Sequence, residues 1–411
     1  MVTISPFKAL RPEAQHARHL ASRPYDVLNS REAKVAAQGN PLSFLHITKS
    51  EIDLPESVDI HTQKVYDTAK ENLDAFMSRN ILFRESKPCL YVYRLTMNGR
   101  VQTGLVCGSS VDDYDNGLIR KHEFTRPEKE QDRINHILTT SAQTGNVFLA
   151  YRPVLEIDGL IDAWMKQKQP VYDFEAEDGI GHAIWVINDD DTINKLLRLF
   201  REKVPCTYIA DGHHRAASAA KARQQLGKAA KASANIFLTT LFPSNQLHIM
   251  DYNRVVKDLN GHAPSDFLQA LEQQFIVAPV EAAFLPEVPH VFGLYLEKKW
   301  YRLTARKNSF DANDPIGVLD VSILQQHVLG PLLGIADQRT DKRIDFVGGI
   351  RGLSELERRV DSGEMALAFS IHPVSIEQLF AVADSGNVMP PKSTWFEPKL
   401  RDGLLTHLIG D

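Results

Sequence analysis

Val204-Pro-Cys-Thr-Tyr-Ile-Ala-Asp211-Gly-His213-His214-Arg215-Ala-Ala-Ser-Ala-Ala-Lys-Ala-Arg-Gln-Gln-Leu226 is the stretch that decides how the chain is read. Cys206 to Ala210 is short, apolar and partly β-branched, the composition of a buried strand. Asp211-Gly212 signals a turn. From His213 the chain is rich in alanine and other good helix formers until Gly227. The expected unit is strand, tight turn, helix, with Asp211 as the cap and His-His-Arg in the first helical turn. A helix N-terminus has unsatisfied N–H groups and partial positive charge, so it favours anions over cationic side chains. Two histidines and an arginine there are best explained by a bound anion, phosphate above all, held by Gly212 and the helix amides, by Arg215 and by the histidines. The competing explanation is a capped surface helix. Four polar residues converging on one strand end favour the anion.

Upstream, His182-Ala-Ile-Trp-Val-Ile187 has strand composition, and Asn188-Asp-Asp-Asp191 can cap a helix over 192–203. Residues 182–226 therefore read as strand, helix, strand, helix, the pattern of a parallel βαβ unit. Ligands of such sheets bind beyond the carboxyl ends of strands, where Asp211 lies. Val147-Phe-Leu-Ala-Tyr151 is another strand, and the segments 90–96 and 101–107 flank Asn98-Gly99, a type I′ hairpin signal. Downstream, 229–234 reads as a small-residue linker, and 235–242 and 247–253 as two strands joined by Pro243-Ser-Asn245. Turn-rich Lys257-Asp-Leu-Asn-Gly-His262 marks a boundary, which gives an N-terminal, motif-bearing region over 1–255 and a C-terminal α+β region over 256–411. Beyond the boundary come a helix over 264–274, a hairpin of 290–296 with 300–305, a helix over 322–333, strands at 344–347 and 365–371, and helices at 353–362 and 375–383. The fold class expected is α/β to α+β, with mixed sheets and flanking helices.

A second stretch, Lys121-His122-Glu123-Phe-Thr125-Arg126-Pro-Glu128-Lys129-Glu130-Gln-Asp132-Arg133, again crowds basic residues at a helix start. Thr125 and Glu128 have capping-box spacing, and Pro127 is acceptable in a first turn. Arg126, Lys129 and Arg133 share one face. His122-Glu123 could serve as an acid/base or metal-binding pair. An ordinary solvated helix with internal ion pairs accounts for the charges equally well. Near the N-terminus, Pro24-Tyr25-Asp26-Val27 and Gly39-Asn40-Pro41-Leu-Ser43-Phe-Leu-His46 place polar groups beside apolar anchors, as pocket loops or simple turns do. The tail over 389–403 holds three prolines, too many for a regular element, and could fold back to bring Lys392, Ser393, Thr394 and Lys399 to a phosphate.

The 411 residues are 43% hydrophobic and 24% charged, with net charge −5 and a pI near 6.3, which argues against a general nucleic-acid binder. Cys89, Cys107 and Cys206 are scattered in apolar stretches and form neither a disulfide framework nor a zinc site. No apolar run approaches the ~20 residues of a membrane span, and the N-terminus lacks a signal-peptide layout, so a cytoplasmic protein is expected. No Walker-type loop and no protein-kinase motif set is present.

Four separated segments, 208–218, 121–130, 39–46 and Met389-Pro-Pro-Lys-Ser-Thr-Trp-Phe-Glu-Pro398, together resemble the family labelled domain of unknown function 1015. Members of that family look like free-serine kinases, some using pyrophosphate as donor. The Asp-Gly-His-His-Arg run is also similar to the phosphate-binding motif of the ParB/sulfiredoxin fold, which an ADP-dependent free-serine kinase shares. The resemblance implies a ParB/sulfiredoxin-like core around this turn and a Mg2+-assisted phosphoryl transfer to L-serine or a similar small hydroxyl compound, from pyrophosphate or a nucleotide. On this reading His213, His214 and Arg215 clamp the donor phosphates, and Asp211 holds magnesium or orients a histidine. Glu123 or Asp26 takes the hydroxyl proton. Arg126, Lys129 and Arg133 bind the far phosphate or the substrate carboxylate. His122, Ser43 and His46 complete the substrate pocket. Neither nucleic acid nor membrane is expected as a partner, and a homodimer is compatible. Two alternatives stand beside it, a metal-dependent phosphohydrolase and a ParB-like nucleotide-binding regulator.

Overall fold

The apolar strands of the N-terminal half have few local partners, so they assemble by non-local pairing into one large sheet. The computed structural model describes residues 1–410, and the chain forms two compact units. The first comprises Met1–Leu247 with Pro398–Asp411, the second His248–Glu397.

The first unit is built on a nine-stranded mixed sheet. Its spatial order is Ile119–Arg120, Thr207–Asp211, Val147–Tyr151, Ile236–Pro243, Arg100–Ser110, Leu90–Met97, Gly181–Ile187 and Tyr172–Glu175, with Ile4–Ser5 added to Arg100–Ser110. Asn98 and Gly99 both take positive φ, 52° and 76°, the type I′ turn that their sequence predicts, and the strands on either side pair from Met97↔Arg100 to Tyr91↔Val106. Thr207–Asp211 runs parallel to Ile119–Arg120, and Val147–Tyr151 parallel to Ile236–Pro243. The expected βαβ unit is corrected in its adjacency. Gly181–Ile187 and Thr207–Asp211 point the same way, but Val147–Tyr151, Ile236–Pro243, Arg100–Ser110 and Leu90–Met97 lie between them. Sequence order proposes neighbours; the ladder hydrogen bonds went to strands distant in the chain.

The helix His213–Leu226 buries Ala216, Ala217, Ala219, Ala220 and Ala222, so its alanines are packing residues as well as helix formers. Their small size lets the helix lie close to Pro127–Thr140, and Ser218 Oγ donates to the Glu130 carbonyl at 3.2 Å. The helix Gln63–Ser78 buries Val65, Ala69, Leu73 and Phe76 at helical spacing. Cys89 and Cys107 are buried, Cys206 half-buried, and all three are free thiols. Among the described residues no helix is long and apolar enough to cross a membrane.

Residues after Pro398 return to the first unit, where His407–Leu408 pairs with Ala142–Gln143. Gly403 makes this return possible: its φ is +92°, and a Cβ there would sit 2.5 Å from Leu20 Cδ2 and 2.7 Å from Phe44 Cγ, both side chains of a packed core cluster. Gly403→Ala is expected to lower unfolding free energy by about 2–4 kcal/mol, combining backbone strain with overpacking. A urea midpoint equal to wild type would show that the tail relaxes freely.

The second unit holds a six-stranded sheet in the order Phe275–Val280, Lys299–Ala305, Val291–Leu296, Leu367–Ile371, Tyr252–Val256 and Ile344–Gly348, with every pairing antiparallel. The two strands expected around Pro243-Ser-Asn245 do not form a hairpin. Ile236–Pro243 belongs to the first unit's sheet and Tyr252–Val256 to the second's. Phe275–Val280 was not expected, because Pro279 interrupts its pattern; it is an edge strand, where a missing N–H is tolerated. The helix expected over 322–333 is shorter, an α-helix Asp320–Leu324 running into a π-helix Gln325–Leu329. In the proline-rich tail, Trp395–Phe396 forms a two-residue strand with Ile249–Met250.

Candidate active site

Thr207–Asp211 ends at a sheet position flanked by two partner strands, and Gly212 follows with φ +98° as the N-cap of the next helix. Asp211 is therefore not the cap. It is the last strand residue, and Gly212 brings no capping side chain. The φ of +98° is what favours glycine at 212, since a Cβ there would make only ordinary contacts, 3.4 Å from Arg215 Cζ and from Val147 Cα.

Arg215 is buried and organises the acids around it. It donates to Asp26 Oδ2 at 2.9 Å, to Asp211 Oδ2 at 3.5 Å and to the Asn146 carbonyl. Lys399, from the returning tail, adds a second cation to Asp211 Oδ2 at 3.2 Å. Burial pushes the Asp211 carboxyl upward, but Lys399 and Arg215 outweigh it and hold the group well below the usual carboxylate range. The nearby Asp402 goes the other way. It is 2% exposed, and burial, reinforced by Asp26 and opposed by Arg215, pushes it up to about 7. Arg215 is held by these internal partners, on Asp26, Asp211 and the Asn146 carbonyl. Arg133 is similarly engaged, paired with Asp132 at 2.7 Å and stacked on the Tyr25 ring at 4.1 Å.

His122 and His213 are buried, and His214 is half-buried. The His122 backbone N–H approaches His213 Nε2 at 3.4 Å, which leaves the His213 ring proton on Nδ1, 3.9 Å from Glu123 Oε2. The two rings meet edge to face at 4.5 Å. His214 Nε2 accepts from the Arg126 N–H at 3.0 Å. Burial, then neighbouring His122, holds His213 well below its ordinary range; burial, then Lys129, lowers His214. Burial also brings His122 down to about 4.

A cavity of about 360 Å³ opens beside this cluster, and Tyr25, Asp26, Lys129, Asp132, Arg133 and His214 are among its walls. It joins the strand-end motif to the basic helix, which in the sequence lie some eighty residues apart. Ser43 and His46 do not join it. Ser43 Oγ accepts from Leu45 N–H and lines a different cavity, while His46 is tied to Asp53 at 2.7 Å and to the Asn40 carbonyl. The Thr125–Glu128 capping box is also corrected. Pro127 takes the first helical position, so Arg126 becomes the N-cap and Thr125 lies one residue too early; its hydroxyl bonds Glu130, which also pairs with Lys221. Of the tail residues considered, Lys399 reaches the cluster, whereas Ser393 Oγ bonds the Pro390 carbonyl at 2.6 Å and Lys392 lies over the Tyr252 ring. Asp402 was missed by sequence reading; its only signal was position, three residues after Lys399 in the tail.

Among the described residues no three His, Cys, Asp or Glu side chains converge to hold an ion. Asp211, the expected ligand, already gives its carboxylate to two cations. These residues do not fit a protein-built magnesium cage.

The buried histidines set an acid limit on the fold. His122, His136 and His407 titrate at about 4 and His182 at about 3, each lowered chiefly by burial. In the unfolded chain they titrate near 6.5, so their contribution is complete above that pH and is lost as pH falls toward 4. Asp402 and Asp320, both pushed up to about 7 chiefly by burial, act oppositely in this window, but these two carboxyls are outweighed by four imidazoles. The urea midpoint is expected to drop steadily between about pH 6.5 and about pH 4; a flat profile would contradict burial of neutral imidazoles.

Comparison with curated proteins gives no match. Among solved structures, the chain is similar to a conserved hypothetical protein from Pyrococcus furiosus, at 15% identity and TM-score 0.37, covering 74% of this chain and 95% of that one. It is similar to a free serine kinase in complex with AMP, at 13% identity and TM-score 0.36, covering 74% and 91%. C-terminally truncated SbnI from Staphylococcus aureus is similar at 12% identity and TM-score 0.40, covering 74% and 87%. At these values the likenesses carry no argument about activity. The family model for a protein of unknown function, DUF1015, matches residues 4–322, and with most of its length so matched the chain belongs to that family.

Proposed function

We propose that the chain is a small-molecule kinase that transfers a phosphoryl group to the hydroxyl of a free hydroxy amino acid, L-serine, from pyrophosphate or a nucleotide. The observation that supports this most is the cavity of about 360 Å³, where a carboxylate (Asp26), an ammonium (Lys129) and a neutral imidazole (His214) border one space beside a helix start that no side chain caps. Phosphoryl transfer asks a protein mainly for positioning, cationic contacts and a base within reach. In this reading the first-turn amides after Gly212 and the imidazole N–H groups of His213 and His214 donate to the donor phosphate. Lys129 and Arg126 supply charge at its outer side. The serine oxygen attacks phosphorus, the bond to the leaving phosphate breaks, and the hydroxyl proton passes to Asp26. Arg215 holds Asp26 Oδ2 at 2.9 Å and so orients the base without touching phosphate. Glu123, beside His213 and outside that set of walls, is the second candidate base. The cavity lies at the small end of the roughly 300–1,000 Å³ usual for ligand sites, which suits a compact donor. Magnesium, expected from the family resemblance, would come with the donor phosphates and neutralise their charge.

Phosphorus NMR of the protein with magnesium, L-serine and, separately, pyrophosphate, ADP and ATP tests this. A phosphomonoester signal that requires serine is the expected result and names the donor. Free phosphate formed equally without serine would replace the kinase by a phosphohydrolase.

A further inference from the structure

We infer that the first unit carries a second ligand site, for a small oxyanion, in the cavity bordered by Ser22, Arg23 and Arg401. This cavity encloses about 350 Å³ and is distinct from the one beside Asp26; Leu28 is a wall of both. The inference does not rest on the kinase reading.

Charge is the first argument. Arg401 is 7% exposed, and its guanidinium is positioned from inside: Nε donates to His182 Nε2 at 3.2 Å, and the His182 ring is held in turn by Tyr93 Oη at 2.8 Å. Burial, then Arg401 itself, brings His182 down to about 3, so this imidazole stays neutral. Asp178 must serve two guanidinia, Arg401 and, at 3.3 Å, Arg23. Arg18 adds a third to the cavity walls, against the carboxylates of Asp178 and Glu177. Three positive groups against two negative ones leave a site that one anionic group would balance.

Ser22 lines the same cavity, is 5% exposed, and its Oγ has no hydrogen-bond partner. Its backbone is fixed on both sides, donating to the Asp402 carbonyl at 3.1 Å and accepting from the Asp402 N–H at 3.0 Å. Buried hydroxyls are normally satisfied, and an unpartnered one on a residue that lines a cavity with excess positive charge points to a ligand acceptor. A carboxylate or a phosphate provides acceptor oxygens for both the hydroxyl and the planar guanidinium donors.

The test is calorimetric titration of the full chain with inorganic phosphate and, separately, with acetate. Saturable binding of at least one is expected, and the anion that binds identifies the class. Affinity should fall about ten-fold or more in Ser22→Ala and in Arg23→Gln, because each removes a donor to a charged group, whereas Lys129→Met, which alters only the other cavity, should leave one saturable site at its wild-type affinity. Ser22→Ala deletes an unpartnered oxygen and so keeps the fold. Absence of binding by either anion, wild-type affinity in both Ser22→Ala and Arg23→Gln, or loss confined to Lys129→Met would overturn the inference.

Discussion

Asp26→Asn is expected to reduce serine-dependent phosphomonoester formation by about 10²–10⁴-fold, the range typical for loss of a general base. The amide is nearly isosteric and can still accept from Arg215, now at 2.9 Å from Asp26 Oδ2, but it cannot take a proton. The loss should therefore fall on kcat, with the KM for the phosphoryl donor little changed. Glu123→Gln is the comparison that gives this result meaning. Glu123 lies 3.9 Å from His213 Nδ1 and is the alternative proton acceptor. A full rate in Asp26→Asn together with a collapse in Glu123→Gln would move the base to Glu123 and the acceptor toward His213. Steady-state kinetics on the two variants, with circular dichroism to confirm folding, decide between them.

Arg215→Met should produce a large loss of stability, about 2–4 kcal/mol, because it removes the buried guanidinium that ties the partly exposed Asp26 and Asp211 to the Asn146 carbonyl. Asp26 would keep no guanidinium, Asp211 would keep Lys399 alone, and the Asn146 carbonyl would lose its donor. Against a typical total of roughly 5–15 kcal/mol, such a loss is a large share of the fold's stability. Lysine is not expected to rescue it: an ammonium is a point charge and cannot span two carboxylates and a carbonyl as the planar fork does. The urea midpoints of Arg215→Met and Arg215→Lys measure this. A wild-type midpoint in Arg215→Met would mean that the cluster is solvated and the two carboxylates are stabilised without the guanidinium.

Local chemistry determined much of what the chain by itself could reveal. Asn98-Gly99 encodes its own turn, because both residues tolerate positive φ. The apolar run before Asp211 and the alanines after Gly212 encode a strand and a helix start, since both depend on short-range preferences. The family, too, was legible from four separated motifs, and the family model agrees over 4–322. What distant partners decide was not legible. Thr207–Asp211 lies beside Val147–Tyr151 and not beside Gly181–Ile187, because ladder pairing is chosen among all available strands at once. Asp211 looked like a helix cap, yet its carboxylate was claimed by Arg215 and by Lys399, the latter 188 residues further on. The contact between Arg215 and Asp26, from the far N-terminal region, was likewise not legible. The residue types at the site are a property of the sequence. Which of them face a ligand and which neutralise one another follows from burial, because a charge removed from water must find its counter-charge wherever the fold brings one.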